Sequence, residues 1–419
     1  MYRYFLFLTI LLLTACQSTV YLMPTPELLR SGQRDPFAAN PGQALSPDVQ
    51  VAYATNRLPA FESGRWPYIT LFDRQLRLGF ADVRLGGETL SVDELHASST
   101  AAERESAIPL TLVSTDEQAV LSPARGGSLT TEAKAFFDRI NEALARSRDP
   151  DITLYLHGAN NSFYRSSAQA AQYAHFTGRN SVVMLFSWPS AESLLRYAVD
   201  VNNARRTVPV FADLLELLAQ HTNARYIDVL AYSAGAQILS PALAGLRAKH
   251  AGKDEHTLRK RFRLGEIYFA APDVDFSKFL QDLATYDGMV QHVTLALNPN
   301  DATLAFAARH HGVSRAGRPE PGELTAEETR LVQAAFGEMA FDLLLVDPDE
   351  IPGLARGAHD FWYRHPWVST DVLMQLLFQA RPSERGLVAL EDEHGRRAWT
   401  FGPDYPQRAI EAIEQLAEE

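Results

Sequence analysis

The chain has 419 residues, of which 46% are hydrophobic and 21% are charged, and its formal net charge is -12. These proportions are those of an ordinary globular protein with a sizeable core, and the length allows one large α/β domain with additions or several smaller domains. The negative charge argues against a nucleic acid partner, because neutralising phosphates requires a basic face.

Residues 1–15 have the pattern of a secretory signal peptide. An apolar run over residues 4–13 is too short for a comfortable membrane span, and its last residue begins the sequence LTAC at residues 13–16. This tetrapeptide resembles the lipobox of bacterial lipoproteins, in which the cysteine is lipidated and becomes the mature N-terminus. Cys16 is also the only cysteine of the chain. The sequence therefore predicts a lipid anchor on Cys16, with an uncleaved anchor as the alternative.

Gln17, which follows this cysteine, favours the outer membrane facing the periplasm, because Asp at that position is typical of lipoproteins retained at the inner membrane. Residues 16–48 are rich in Pro, Ser, Gly and Asn, a composition typical of a tether. Residues 49–125 carry strand patterns, of which the one at 76–85 alternates well. We predict that they form a β-rich extension packed on the main domain.

An α/β core is predicted over residues 126–380. It opens with a helix at 130–145, and its predicted strands then cover residues 152–156, 181–188, 226–230, 264–270, 292–297 and 341–346. Helical patterns separate these largely apolar strands, which indicates a parallel sheet covered by helices on both faces. Catalytic groups on such a sheet belong at the carboxyl ends of the strands. Residues 381–419 are predicted to form a hairpin and a final helix.

The strand at residues 226–230 is followed by AYSAG at residues 231–235 and then by a helix rich in Ala and Leu. A strand, a tight turn with a central serine and a helix are the context required of a nucleophile elbow. Ser233 is the predicted nucleophile, and the following helix N-terminus directs partial positive charge at a developing anion. Because Ala231 replaces the first glycine of G-x-S-x-G, a helix N-cap is the alternative role for Ser233.

A nucleophilic serine needs a base, and the base needs an acid that orients it. Along a parallel α/β hydrolase the expected order is serine, acid, histidine. Asp301 and His359 each follow a predicted strand end in that order after Ser233, which favours Asp301 as the acid and His359 as the base. Asp273 and Asp275, which follow the preceding strand, are alternatives for the acid.

An oxyanion hole requires two backbone amides that face one point. The loop at residues 157–161 follows the first strand of the core, and Gly158 lets its backbone turn sharply. We expect the amide of Ala159 to face the same point as the amide of Ala234. His157 is predicted to structure this loop, because a base so early in the chain breaks the expected order.

These features resemble the bacterial family of uncharacterised, esterase/lipase-like α/β-hydrolase-fold proteins called DUF900. The resemblance covers about residues 49–377 and is carried by LHGANNSF at 156–163, FSWPS at 186–190, NARRTVP at 203–209, AAPDVD at 270–275 and the segment around His359. Family members usually carry His-Ser-Met-Gly at the elbow, where this chain has YSAG. The resemblance implies an α/β-hydrolase fold with Ser233, Asp301 and His359 as nucleophile, acid and base. It implies little about the substrate.

The sequence as a whole predicts a membrane-anchored serine hydrolase that acts on small-molecule or lipid carboxylic esters. No cofactor is expected, and no His and carboxylate pair has the spacing of a hydrolytic zinc site. The alternative is a binding or scaffolding envelope lipoprotein that retains the fold without turnover. Residues 309–336, which lie between the acid and the base, are predicted to cover the site.

Overall fold

The computed structural model describes residues 19–30, 35–38, 46–60, 67–122, 129–193, 196–320, 322, 324–391 and 396–418. The predicted signal peptide, Cys16 and the predicted hairpin turn at residues 394–395 lie outside these ranges. Within them, no helix combines the length and the apolar character needed to cross a membrane.

The strands form one large sheet. In chain order they are β1 Val20–Tyr21, β2 Asp48–Pro59, β3 Tyr68–Leu85, β4 Pro109–Leu121, β5 Ile152–Leu156, β6 Val182–Ser187, β7 Ile227–Tyr232, β8 Leu264–Ala270, β9 Val290–Leu297, β10 Phe341–Leu345, β11 Val388–Glu391 and β12 Arg397–Thr400. Their order across the 12-stranded sheet is β1-β4-β3-β2-β6-β5-β7-β8-β9-β10-β12-β11. Between β2 and β12 in this order, each pair of neighbouring strands is parallel. At the two edges the neighbours are antiparallel, namely β1 with β4, β4 with β3, β3 with β2, and β12 with β11.

Helices cover both faces of this sheet. In chain order they are α1 Glu27–Arg30, α2 Val92–Thr100, α3 Thr131–Arg146, α4 Phe163–Phe176, α5 Tyr197–His221, α6 Ala236–Lys249, α7 Glu255–Phe262, α8 Phe276–Tyr286, α9 Ala302–His311, α10 Ala326–Gly337, α11 Phe361–Arg364, α12 Pro366–Phe378 and α13 Tyr405–Glu418. Side chains of each central strand alternate between two cores, as Leu154 and Tyr155 of β5 show. Leu154 packs in the core that includes α3, α5, α6 and α8, and Tyr155 in the core that includes α4, α12 and α13. The predicted α/β-hydrolase architecture is confirmed.

The predicted N-terminal β-rich region joins the core by strand pairing. The strand β2 pairs in parallel with β6 and places Tyr53 opposite Leu185. The strands β2, β3 and β4 therefore continue the central sheet. Part of the predicted tether also packs on the domain, since Val20 of β1 pairs with Leu110 of β4. Strand patterns give no pairing partner, so the sequence did not indicate which core strand this region would join.

The C-terminal segment is likewise part of the sheet. The strand β12 pairs in parallel with β10 and places Trp399 opposite Leu344, and β11 pairs antiparallel with β12. Just before this hairpin, Arg385 forms an ion pair of 3.1 Å with Asp371 of α12, and both side chains are buried. A buried pair of this kind fixes the segment to the core, because separating the charges leaves one of them uncompensated.

Candidate active site

The turn after β7 has the geometry of a nucleophile elbow. Ser233 has a φ of 52°, in the left-handed region that is strained for a residue with a Cβ. A short 3₁₀ turn, Ser233–Gly235, leads directly into α6. Position 235 requires glycine, because the Cβ of any other residue would lie 2.7 Å from the backbone oxygen of Leu156. The strained serine stands at the carboxyl end of a central parallel strand, where such sheets place reactive groups.

Ser233, His359 and Asp301 lie in one chain of hydrogen bonds. The Oγ of Ser233 is 2.8 Å from Nε2 of His359, and Nδ1 of the same imidazole is 2.6 Å from Oδ2 of Asp301. The Asp301 side chain is fully buried, and that of His359 is 13% exposed. The structure therefore brings together the three side chains that the sequence pointed to, in the order hydroxyl, imidazole, carboxylate.

Asn298, which the sequence analysis did not single out, joins the loops that carry the acid and the base. Its side-chain amide donates to the backbone oxygens of Arg356 and Ala358, at 3.2 and 2.8 Å. Asn298 follows β9 and is fully buried, so it fixes the position of His359 from the side of Asp301. The polar residues after the predicted strand indicated a functional loop. They did not indicate that the Asn298 side chain would bind the segment before His359.

The two alternative acids have other partners. Asp273 accepts hydrogen bonds from the hydroxyl of Tyr197 at 2.5 Å and from Nε of Arg315 at 2.6 Å. Asp275 caps the N-terminus of α8. Neither carboxylate bonds to His359, whose Nδ1 is bound by Asp301.

The loop at residues 157–161 lies directly against the serine. A Cβ on Gly158 would be 2.9 Å from the Cβ of Ser233, so only glycine allows this approach without displacement. The amide of Ala159 donates to no acceptor in the described part of the chain. Ala234 is the first residue after the serine, at the start of the helical turn. Ala159 lines the cavity that also contains Ser233, and Ala234 directly precedes the N-terminal turn of α6, whose dipole is positive at that end.

Asp200 of α5 holds this loop from behind and was missed by the sequence analysis. Its buried carboxylate accepts hydrogen bonds from the amides of Asn160 and Ala191 and from the hydroxyl of Ser190. An acidic residue in the first turn of a helix usually faces solvent and complements the helix dipole. The local pattern therefore gave no sign of the role of Asp200.

Two further side chains support the loop. Arg57, fully buried, donates to the backbone oxygen of Asn161 at 2.7 Å and to Oγ of Ser187 at 3.0 Å, and burial lowers its pKa to about 10. His157 stacks on Trp188 with ring centroids 5.3 Å apart. Burial, with a smaller contribution from Arg57, lowers the pKa of His157 to about 3. His157 is therefore neutral and structural.

A family model described as alpha/beta hydrolase of unknown function (DUF900) matches residues 132–355, more than half of the chain. The chain belongs to the DUF900 family. The matched segment of this DUF900 protein includes Ser233 and Asp301 and ends four residues before His359. No curated protein matches the chain. The resemblance predicted from the sequence is confirmed, and the family description specifies no substrate.

A cavity of about 490 Å³ opens over Ser233 and His359 of the DUF900 protein. None of the described residues among 309–336 lines it, although His311 bonds to Tyr197 and Arg315 to Asp273, which both do. Residues of the preceding helix α9 line it instead, namely Thr303, Phe306 and Ala307. Within the described ranges, no group of three or more His, Cys, Asp or Glu side chains is arranged to hold a metal ion.

Asp200 is expected to give the DUF900 protein a distinct pH dependence of stability. Its pKa is raised to about 6, chiefly by burial, while the amides of Ala191 and Asn160 partly offset the rise. Between about pH 4 and 6 the folded chain keeps a proton that the unfolded chain releases, so this group's contribution to the unfolding free energy falls as pH rises through that window. It levels off at about pH 7, where the carboxyl group is ionised in both states.

Urea unfolding of wild type and Asp200→Asn at several pH values measures this contribution. The unfolding free energy of wild type minus that of the variant should fall by on the order of 2 kcal/mol from about pH 4 to about pH 7 and then stay level. A difference that does not change with pH would contradict the assignment, because the amide of the variant does not titrate.

Proposed function

We propose that this protein is a serine hydrolase that cleaves carboxylic esters, with Ser233 as nucleophile, His359 as general base and Asp301 as the acid that orients it. The observation that supports this most is the continuous hydrogen-bond chain, 2.8 Å from Ser233 Oγ to His359 Nε2 and 2.6 Å from His359 Nδ1 to Asp301 Oδ2. The imidazole of His359 activates this hydroxyl as its hydrogen-bonded base, and the elbow places the serine beside the cavity.

The reaction proceeds in two halves. Ser233 Oγ attacks the ester carbonyl carbon while its proton passes to His359 Nε2, and the amides of Ala159 and Ala234 bind the resulting oxyanion. The intermediate collapses as His359 gives the proton to the departing alkoxide, which releases the alcohol and leaves an acyl-serine. A water molecule then gives a proton to His359 and attacks the acyl carbon. The second intermediate collapses by cleavage of the bond between this carbon and Ser233 Oγ, while His359 returns the proton to Oγ; the carboxylic acid leaves and Ser233 is restored. Asp301 stabilises the imidazolium in both halves.

A fluorophosphonate probe tests the nucleophile directly, because it forms a covalent bond only with an activated serine. Wild-type protein and Ser114→Ala, which removes an exposed serine of β4, should be labelled equally. Ser233→Ala should not be labelled. A panel of nitrophenyl esters of increasing acyl length then measures turnover. Folded wild type that stays unlabelled, or equal labelling of Ser233→Ala, would favour a non-catalytic binding or scaffolding role.

The same proposal places the enzyme at a membrane surface through a lipid on Cys16. The support is the apolar run and lipobox-like sequence before the cysteine. The proposed location is the outer membrane, facing the periplasm, where lipid and other envelope esters are accessible substrates. Cell fractionation should find wild type in the membrane fraction and Cys16→Ser in the soluble fraction. Unchanged fractionation of the variant would rule out this anchor.

A further inference from the structure

One wall of the cavity over Ser233 carries polar side chains from helix α4. Arg165 and Gln169 lie one turn apart on this helix, and both line the cavity together with Ser233 and His359. The proposed reaction uses neither of them. Their chemistry, one cation and one amide, is therefore available for recognising a substrate.

Gln169 is almost fully buried and is held in one orientation. Its Oε1 accepts a hydrogen bond of 2.8 Å from the hydroxyl of Tyr155, which is fully buried behind it. Its Nε2 donates to no residue in the described part of the chain. Because the side chain lines the cavity, the N–H groups of this amide are available there to an acceptor on a ligand.

Arg165 is the cation of this wall that lacks a counter-ion. No described carboxylate forms an ion pair with it, whereas Arg364, the other arginine that lines the cavity, is 2.5 Å from Asp360. An uncompensated guanidinium beside a partly enclosed cavity favours binding of an anion, because a carboxylate or phosphate matches its planar donors.

This wall lies on the imidazole side of the site. The Tyr155 ring, whose hydroxyl holds Gln169, has its centroid 5.3 Å from that of the Trp362 ring, and Trp362 belongs to α11, which begins two residues after His359. The departing oxygen of an ester must reach His359 Nε2 to be protonated. The alcohol part of the substrate therefore lies on the side of Arg165.

Another part of the cavity lining carries apolar groups. Tyr197 and Ala307 belong to one small hydrophobic cluster against which Ala159 packs. Phe306 of α9 also lines the cavity, although 58% of its surface is exposed. An acyl chain is the part of an ester that such a surface accommodates.

We propose that Arg165 and Gln169 bind an anionic group on the alcohol part of the substrate, so that the enzyme prefers esters of alcohols that carry a carboxylate or a phosphate. The acyl chain then packs against Tyr197, Phe306 and Ala307. This inference rests on the proposed function, because it assigns the alcohol side from the role of His359.

Two butyrate esters provide the test: 4-nitrophenyl butyrate and the same ester with a carboxylate on the phenyl ring. We compare the ratio of kcat/KM for the carboxylated ester to kcat/KM for the neutral one across variants, so that the intrinsic reactivity of the two leaving groups cancels. Arg165→Ala should lower this ratio by about tenfold to a hundredfold, the usual effect of losing a hydrogen-bonded charge contact. Arg165→Lys should lower it less.

Arg309→Ala is the matched control, because Arg309 is an exposed cation at the end of α9 that does not line the cavity; its ratio should equal that of wild type. 4-Nitrophenyl hemisuccinate carries its carboxylate on the acyl side. Its kcat/KM relative to that of the neutral ester should therefore be the same in wild type and Arg165→Ala. Inhibition of neutral-ester turnover by benzoate and by inorganic phosphate distinguishes a carboxylate preference from a phosphate preference.

An equal ratio in wild type and Arg165→Ala, with the neutral ester turned over by both, overturns this inference and leaves the proposed function intact. If the fluorophosphonate probe and both esters fail to react, the proposed function is wrong. Calorimetric binding of the carboxylated ester to Ser233→Ala, with and without Arg165→Ala, then still decides the anion site. Equal affinity of the two proteins would overturn it.

Discussion

Asp301→Asn is expected to lower kcat for ester hydrolysis by about 10⁴-fold, the order of magnitude found when a triad aspartate becomes its amide. The reason lies in the second hydrogen bond of this side chain. While Oδ2 faces Nδ1 of His359 at 2.6 Å, Oδ1 accepts the amide of Leu304 at 2.9 Å and caps helix α9. Asparagine has one oxygen, and the helix cap requires it.

The side-chain NH₂ of the variant must therefore point at His359. A donor there forces Nδ1 to be the acceptor, so the proton of the neutral imidazole moves to Nε2. That nitrogen then has no lone pair for the proton of Ser233, and the base is lost while the fold stays the same. The measurement is kcat for a nitrophenyl ester, with the rate of fluorophosphonate labelling as a second readout that needs no turnover.

Asp275→Asn is the matched control for this variant. Asp275 caps α8 in the same way as Asp301 caps α9, because its Oδ1 accepts a hydrogen bond of 2.9 Å from the amide of Lys278. Its other carboxylate oxygen is not hydrogen-bonded to an imidazole in the described part of the chain. Its activity should equal that of wild type. Full activity of Asp301→Asn, with activity lost in Asp273→Asn instead, would move the acid to the end of β8 and contradict the assignment.

The sequence predicted the residues whose position follows from local pattern. An apolar strand, a small-residue turn and a helix placed Ser233, and a strand followed by a polar loop placed Asp301 and His359. In a parallel sheet the carboxyl ends of neighbouring strands share one edge, so loops distant in the chain meet there without any knowledge of side-chain contacts. This topology brings the loops that carry the three side chains to one edge of the sheet.

The residues that the sequence did not reveal depend on contacts between distant segments. Asp200 resembles an ordinary solvent-facing acid of a helix terminus until α5 packs its first turn against the loop at 157–161. Asn298 belongs to a polar loop whose partner, the segment before His359, lies far along the chain. The N-terminal strands were recognised as strands, but their pairing with β6 is a matter of register and packing.

Gly158→Ala is expected to lower kcat by about 10²-fold, because it moves the loop that supplies the Ala159 amide. The new Cβ would lie 2.9 Å from the Cβ of Ser233 and 3.2 Å from Cδ1 of the Tyr232 ring. Neither Ser233 nor the Tyr232 ring can move easily to make room for this Cβ. Ser233 is on a strained turn, and the Tyr232 ring packs against His359 with centroids 5.3 Å apart. The loop must therefore retreat from the serine.

This variant separates oxyanion stabilisation from nucleophile activation. Ser233, His359 and Asp301 keep their chemistry, so fluorophosphonate labelling should become slower but still reach completion, unlike in Ser233→Ala. Gly245→Ala is the control, since a Cβ on this exposed helical glycine meets nothing within 4 Å and should leave kcat unchanged. Urea unfolding verifies that both variants are folded. Wild-type kcat in folded Gly158→Ala would mean that the Ala159 amide does not bind the oxyanion, because a displaced donor would have lost most of its stabilising effect on the transition state.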